Sequence, residues 1–124
     1  MKVLKFGGTS IGSVEGIKTL HHIVQNEETE NKDLWIVVSE FKDTTDKLVK
    51  LSQLAEIRDK SFSKILDELK EKHLEISNSL LTGDTLGRVT EKIEKHFEKL
   101  CDTIQGVFLL KELSLRSKDL ILSY

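Results

Sequence analysis

The sequence contains no proline, and only one cysteine, one tryptophan, one tyrosine and one methionine. Without proline nothing presets a kink inside a helix, so long unbroken helices are open to this chain. A proline-free composition is unusual for a whole α/β enzyme and fits a helix-rich fragment. The lone Cys101 excludes an internal disulfide, and no second sulfur or paired histidine beside it offers a zinc site, so a reducing cytoplasm is the expected compartment. No apolar run reaches the ~20 residues that a bilayer crossing needs. The apolar start over residues 1–6 is broken by Lys2 and Lys5 and lacks a cleavage-type ending. Excess charge of one sign is missing too, with 19 Lys plus Arg against 21 Asp plus Glu. That balance excludes a broad electrostatic surface for nucleic acid or anionic membrane and leaves room only for a local anion site. At 124 residues the chain is long enough for one core and short for two.

What is present is ordered. Lys2–Phe6 is a short, mostly apolar run ending at Gly7 and Gly8, the pattern of a strand entering a sharp turn. Val14, Ile17, Leu20, His21 and Val24 then recur at helical spacing, with Ser13 available as a cap. A polar loop over residues 26–33 leads to Leu34-Trp35-Ile36-Val37-Val38-Ser39, a run of the type buried on both faces of a parallel sheet. Trp35 is expected to pack against a covering helix. The start is therefore a β-α-β unit.

Beyond Ser39 the spacing is helical. Asp43-Thr44-Thr45-Asp46 reads as a helix start continued by Leu48, Leu51, Leu54 and Ala55. Phe62, Ile65, Leu66, Leu69, Ile76 and Leu80 form one apolar stripe. A second runs from Leu86 through Ile93, Phe97, Leu100, Cys101 and Ile104 to Val107. The break at Thr82-Gly83-Asp84 makes them an antiparallel hairpin. Glu68 with Lys72 and Glu91 with Lys95 stand four apart on the outer faces as solvated surface. A last helix begins near Ser114, whose hydroxyl can cap it, and no stop signal follows it before Tyr124, so the natural protein is expected to continue.

Chemistry concentrates in Lys5-Phe6-Gly7-Gly8-Thr9-Ser10, a lysine at a strand end followed by two glycines, two hydroxyls and a helix. Glycines let a backbone approach phosphate oxygens closely, amides at a helix start favour negative charge, and Lys5 adds a full positive charge. The spacing fits neither the Walker pattern nor the dinucleotide Gly-x-Gly-x-x-Gly pattern. On spacing alone, Gly7-Gly8 as a plain tight turn and Lys5 as a solvated charge stay equally open.

Lys-Phe-Gly-Gly-Thr-Ser near the N-terminus, followed by a helix and a Val-Val-Ser strand end, resembles the opening of aspartate kinases in the amino acid kinase superfamily. In that family the second strand leads into Ser-x-x-x-Gly-x-Thr-Asn/Asp, and residues 39–46 occupy the same place with Ser39 and Thr45 matching. Residues 113–124 look like the family helix that leads into a Gly-Glu pair. The resemblance covers the whole chain in three blocks. It departs from the pattern where Asp43 replaces a glycine, where Glu40-Phe41-Lys42 replaces small residues, and where Leu115 replaces a common proline.

The resemblance implies an α/β fold: the N-terminal part of a carbamate kinase-like three-layer α/β/α domain, helix-rich with a short parallel sheet portion. It implies that residues 1–124 are the aspartate-binding part of the catalytic domain, without the nucleotide-binding part or regulatory domains. The implied activity is ATP-dependent phosphorylation of L-aspartate to 4-phospho-L-aspartate, the first step toward lysine, threonine and methionine, with the fragment alone inactive. Lys5 would act catalytically, Gly7, Gly8, Thr9 and Ser10 would bind phosphate, and Ser39 and Thr45 would hold aspartate. ATP and magnesium are the implied cofactors, with no metal ligand assignable in this segment. The full-length enzyme is expected to be a cytoplasmic homo-oligomer, with or without a fused homoserine dehydrogenase. Rival readings are a family member acting on glutamate, acetylglutamate, carbamate or a nucleotide monophosphate, and a non-catalytic helical interaction module. The long helical stretch between Leu48 and Leu113 favours aspartate.

The histidines carry less. His21 and His22 are adjacent and point apart on a helix, and His73 and His96 lie among lysines and glutamates, where solvated faces explain them. Cys101 falls on an apolar stripe and is expected in the core.

Overall fold

A computed structural model of the chain describes residues 1–30 and 32–124. The described residues form strands β1 (Lys2–Phe6) and β2 (Leu34–Val38) and helices α1 (Gly8–Ile11), α2 (Val14–Glu30), α3 (Thr44–Glu56), α4 (Phe62–Leu80), α5 (Gly83–Leu110) and α6 (Leu115–Ser123). They divide into two compact units, Met1–Asp43 and Thr44–Tyr124. The architecture is α/β and helix-rich, with a short two-stranded parallel sheet.

In the first unit β1 and β2 pair in parallel, from Lys2 opposite Leu34 to Phe6 opposite Val38. The ladder is extended at both ends, by the Lys2 amide donating to the Asp33 carbonyl (2.9 Å) and the Ser39 amide donating to the Phe6 carbonyl (3.0 Å). Paired residues of adjacent strands point to the same face, so Lys2, Leu4 and Phe6 share one face and Val3, Lys5, Trp35 and Val37 the other. Lys2 Nζ reaches Glu27 of α2 at 2.6 Å, which places α2 on the Leu4 and Phe6 side. α2 starts on the expected cap, with the Gly16 amide donating to Ser13 Oγ at 3.0 Å. It also runs to Glu30, through most of the segment expected to be a loop; Asn31 lies outside the described residues.

The expected two-sided burial of β2 is not found. Trp35 is 65% exposed and Val38 55%, with Ile36 and Val37 also open, and Trp35 meets no covering helix. For Trp35 and Val37 the reason is layering: a crossover helix covers one face of the strands it joins, and among the described residues of the first unit nothing covers the face of Val3, Trp35 and Val37. Ile36 and Val38 pair with Leu4 and Phe6 on the α2 side, and α2 leaves them open too.

The second unit holds a helical core. Leu48, Leu51 and Ala55 of α3, Phe62, Leu66 and Leu69 of α4, Leu100, Ile104 and Val107 of α5, and Ile121 of α6 pack into one cluster. Burying each such aliphatic or aromatic side chain is worth about 1.5–3 kcal/mol, so this cluster and not the surface ion pairs holds the unit together. Cys101 is half-buried against this core and not within it. The hairpin breaks where expected, at Gly83 with φ +61°. The Ser114 hydroxyl accepts the Ser117 amide at 3.1 Å and starts α6, and Lys95 Nζ pairs with Glu91 at 2.7 Å.

Candidate phosphate turn at the sheet edge

Because the two strands are parallel, their carboxyl ends open on the same edge, where open α/β sheets place ligands. From that edge β1 runs into Gly7 and α1, and β2 runs into residues 39–43. Both segments therefore start side by side. The Gly7 carbonyl accepts the amides of Ser10 (3.0 Å) and Ile11 (3.3 Å), which closes a single helical turn. The amides of Gly8 and Thr9 precede those first intrahelical donors, as the opening amides of a helix do.

The two glycines are present for different reasons. At Gly8 an added Cβ would stand 2.6 Å from the Glu40 carbonyl oxygen and 3.4 Å from the Lys42 amide nitrogen, so only glycine lets the loop after β2 lie against the turn. At Gly7 an added Cβ would meet nothing within 4 Å, and φ −78° with ψ 169° suits any residue. Neither packing nor backbone geometry within the chain asks for glycine at residue 7. The space beside it is open to an incoming group.

Lys5 stands two residues before Gly7, exposed on the face that α2 leaves uncovered. No ion pair holds it among the described residues. Thr9 and Ser10 are exposed on α1, whose Ile11 is buried. Ser39 is half-buried, and its hydroxyl donates to the carboxylate of its neighbour Glu40 at 2.6 Å. Thr45 is the second residue of α3 and belongs to the second unit. Lys5, Gly7, Gly8, Thr9, Ser10 and Ser39 thus gather at one sheet edge of the first unit.

Asp43 adopts φ +67°, the left-handed region where glycine is at ease and aspartate is among the better tolerated alternatives. The departure from the family glycine at this position therefore keeps the backbone bend.

Among the described residues no group of three or more His, Cys, Asp or Glu side chains is placed to hold a metal ion. His21 and His22 are exposed on α2. His73 is a correction to the solvated-face reading. It is half-buried, its Nδ1 lies 2.7 Å from the Leu69 carbonyl, and its ring meets Phe97 edge-on with centroids 5.6 Å apart. The packing of α5 on α4 brings Phe97 to it, a pairing between helices that spacing along one helix does not reveal. No described helix is long and apolar enough to cross a membrane.

The family model described as amino acid kinase matches residues 1–106. Aspartokinase 2, chloroplastic, of Arabidopsis thaliana is 34% identical over 98% of this chain and 22% of its own length. A bifunctional aspartokinase/homoserine dehydrogenase 1, chloroplastic, of Zea mays is 32% identical over 86% of the chain and 11% of its own length. A bifunctional enzyme of the same name type from Buchnera aphidicola is 29% identical over 99% of the chain and 15% of its own length. The chain spans about a fifth or less of these relatives.

Proposed function

This chain belongs to the amino acid kinase family, and on that premise we propose that it furnishes the phosphate turn and the aspartate side of an aspartate kinase. The reaction is attack of an oxygen of the L-aspartate side-chain carboxylate on the γ-phosphorus of ATP. The bond from that phosphorus to its bridging oxygen breaks, and 4-phospho-L-aspartate and ADP leave. Aspartate as acceptor is supported by the names of the relatives, which are aspartokinases alone or fused to homoserine dehydrogenase.

The observation that carries the reading is Gly7, a glycine whose missing side chain leaves open space at the carboxyl edge of a parallel sheet. A phosphate oxygen there would come within reach of the Gly8 and Thr9 amides and the hydroxyls of Thr9 and Ser10. Lys5, on its flexible four-carbon stem, would bring a positive charge to a phosphoryl group as it loosens from ADP. Phosphoryl transfer depends chiefly on positioning and electrostatic stabilisation, so this set can serve it without a covalent step of its own. Ser39 and Thr45 would donate to the carboxylates of aspartate, Ser39 after exchanging its bond to Glu40.

Magnesium would neutralise phosphate charge when bound. With no metal-ligand group among the described residues, its protein ligands would come from elsewhere in the catalytic domain. The small share of each relative that the chain covers supports reading residues 1–124 as the aspartate-binding part, with the nucleoside held by other residues. The chain alone is then inactive as a kinase, and a homo-oligomeric, cytoplasmic whole enzyme belongs to the same proposal.

The test is titration of the isotopically labelled chain with inorganic tripolyphosphate, then with L-aspartate. Tripolyphosphate should give saturable amide shifts at residues 7–10 that weaken in Lys5→Ala and vanish in Gly7→Val. Aspartate should shift Ser39 and Thr45. A turn that ignores tripolyphosphate in the folded wild type, or Lys5→Ala binding it as well as wild type, overturns the assignment.

A further inference from the structure

Two carboxylates have a claim on the Ser39 hydroxyl, that of an incoming aspartate and that of the neighbouring Glu40. Ser39 Oγ carries one hydrogen, which a hydroxyl donates to one acceptor at a time. Glu40 Oε2 takes it at 2.6 Å, a length in the range of charge-assisted O–H···O⁻ bonds. The main chain of Glu40 lies close against the phosphate turn, its carbonyl oxygen 2.6 Å from where a Cβ on Gly8 would stand. One residue thus meets the turn with its carbonyl and the Ser39 hydroxyl with its carboxylate.

We propose that Glu40 is a built-in competitor for the acceptor's carboxylate and regulates the affinity of this site for aspartate. The inference rests on the reading of Ser39 as a donor to aspartate. Both claimants are carboxylates, so the hydroxyl itself discriminates little between them. They differ in how they arrive. Glu40 stands on the next residue and reaches Ser39 by side-chain rotation, whereas aspartate gives up translational and rotational freedom to bind. Aspartate therefore takes the hydroxyl only through its other contacts or at high concentration. A displaced Glu40 stays close, because its backbone is packed against the turn, and two carboxylates at such range repel. The side chain of Glu40 is exposed, so solvent moderates that repulsion and the effect is one of tuning. The small residue of the family pattern at this position would supply neither the competing acceptor nor the charge.

The experiment titrates the complete chain with L-aspartate at constant neutral pH and follows the Ser39 amide and the Glu40 side-chain carboxyl carbon by NMR. In the wild type both signals should move with one midpoint, as the Glu40 carboxylate gives up the hydroxyl. A Glu40 carbon that stays in place while Ser39 responds overturns the proposal, and this arm needs no variant to fold. Glu40→Gln keeps an acceptor and drops the charge, and it should bind aspartate about 3–5-fold more tightly at low salt, the order expected of one charge pair at an exposed site. Glu40→Ala drops both and should bind more tightly still. The advantage of Glu40→Gln should shrink as salt rises from about 0.01 M to about 1 M, where the screening length falls from ~30 Å to ~3 Å. A change of loop shape alone would not depend on salt. A gain of equal size at every salt concentration, or no gain in either variant, overturns the proposal and leaves Ser39 as a ligand for aspartate. Aspartate moving Ser39 in none of the three chains overturns the proposal together with the reading of Ser39 on which it rests.

Discussion

The carbonyl oxygen of Glu40 lies 2.6 Å from where a Cβ on Gly8 would stand. The segment after β2 is therefore laid against the turn after β1 with no room between them, while Gly7, one residue earlier, faces open space. Two adjacent glycines of the same motif thus stand under different demands: close packing requires Gly8, and no packing contact requires Gly7.

Substitution separates these demands. Gly8→Ala must push a backbone carbonyl aside and should destabilise the chain by about 1–3 kcal/mol, as overpacking does. Gly7→Ala meets no atom and keeps an ordinary φ, so it should be neutral or stabilise by about 0.4–1 kcal/mol through the unfolded state. Urea denaturation of the two variants checks the order. Equal effects on stability would mean that the loop does not lie where the structure has it.

Asp43 gives a second test of the same loop. At φ +67° a side chain with a Cβ is strained, and aspartate relieves part of that strain through local hydrogen bonding. Asp43→Ala should therefore be less stable than Asp43→Gly by about 1–2 kcal/mol, with the natural aspartate between them. The same denaturation midpoints report it, and alanine equal to glycine would contradict the left-handed bend.

The elements that local signals specify were legible in the sequence. Gly7-Gly8 ended β1, Ser13 capped α2, the Thr82-Gly83 break divided the hairpin, and Ser114 capped α6, each through atoms within a few residues. The amino acid kinase family was legible too, from the Lys5 to Ser10 segment. The exposure of Trp35 and Val38 was not, because an apolar strand records only that a cover is favourable, and whether one is present depends on other parts of a fold. Nor was the close fit of Gly8 to Glu40, or the edge-on meeting of His73 with Phe97, since each joins segments whose separation along the chain carries no periodic signal.

Arg58 and the end of α5 show the same long-range kind of contact and can be tested directly. Arg58 Nε donates to the Phe108 carbonyl (3.1 Å) and Nη2 to the Leu109 carbonyl (2.9 Å), and its guanidinium lies 6.0 Å from the Phe108 ring centroid. The last carbonyls of a helix lack intrahelical partners and carry partial negative charge, so a guanidinium fork satisfies two of them at once. Arg58→Ala should cost about 1–2 kcal/mol and speed amide exchange in the final turn of α5. Arg58→Lys keeps the charge but loses the fork and should recover only part of the loss. Full recovery by lysine would show that charge alone matters there.

Cys101 supplies a prediction with a defined pH direction. Its thiol is pushed above the ordinary value of 9.0, first by burial and then by the negative charges of Asp102 and Asp67, with Lys70 opposing. At neutral pH the folded chain therefore holds less thiolate than the unfolded chain, and thiolate is the form that reacts. Alkylation by iodoacetamide should be slower in buffer than in urea, with the rate rising at higher pH in the folded chain. For stability the sign follows: a raised folded value contributes fully below the unfolded pKa and is lost as pH climbs through the folded one. The contribution should thus disappear on the alkaline side of 9.0 and leave acid stability unchanged. Cys101→Ala should flatten that alkaline loss. A folded-state alkylation rate equal to the unfolded rate at every pH would show that neither burial nor the two carboxylates acts on the thiol.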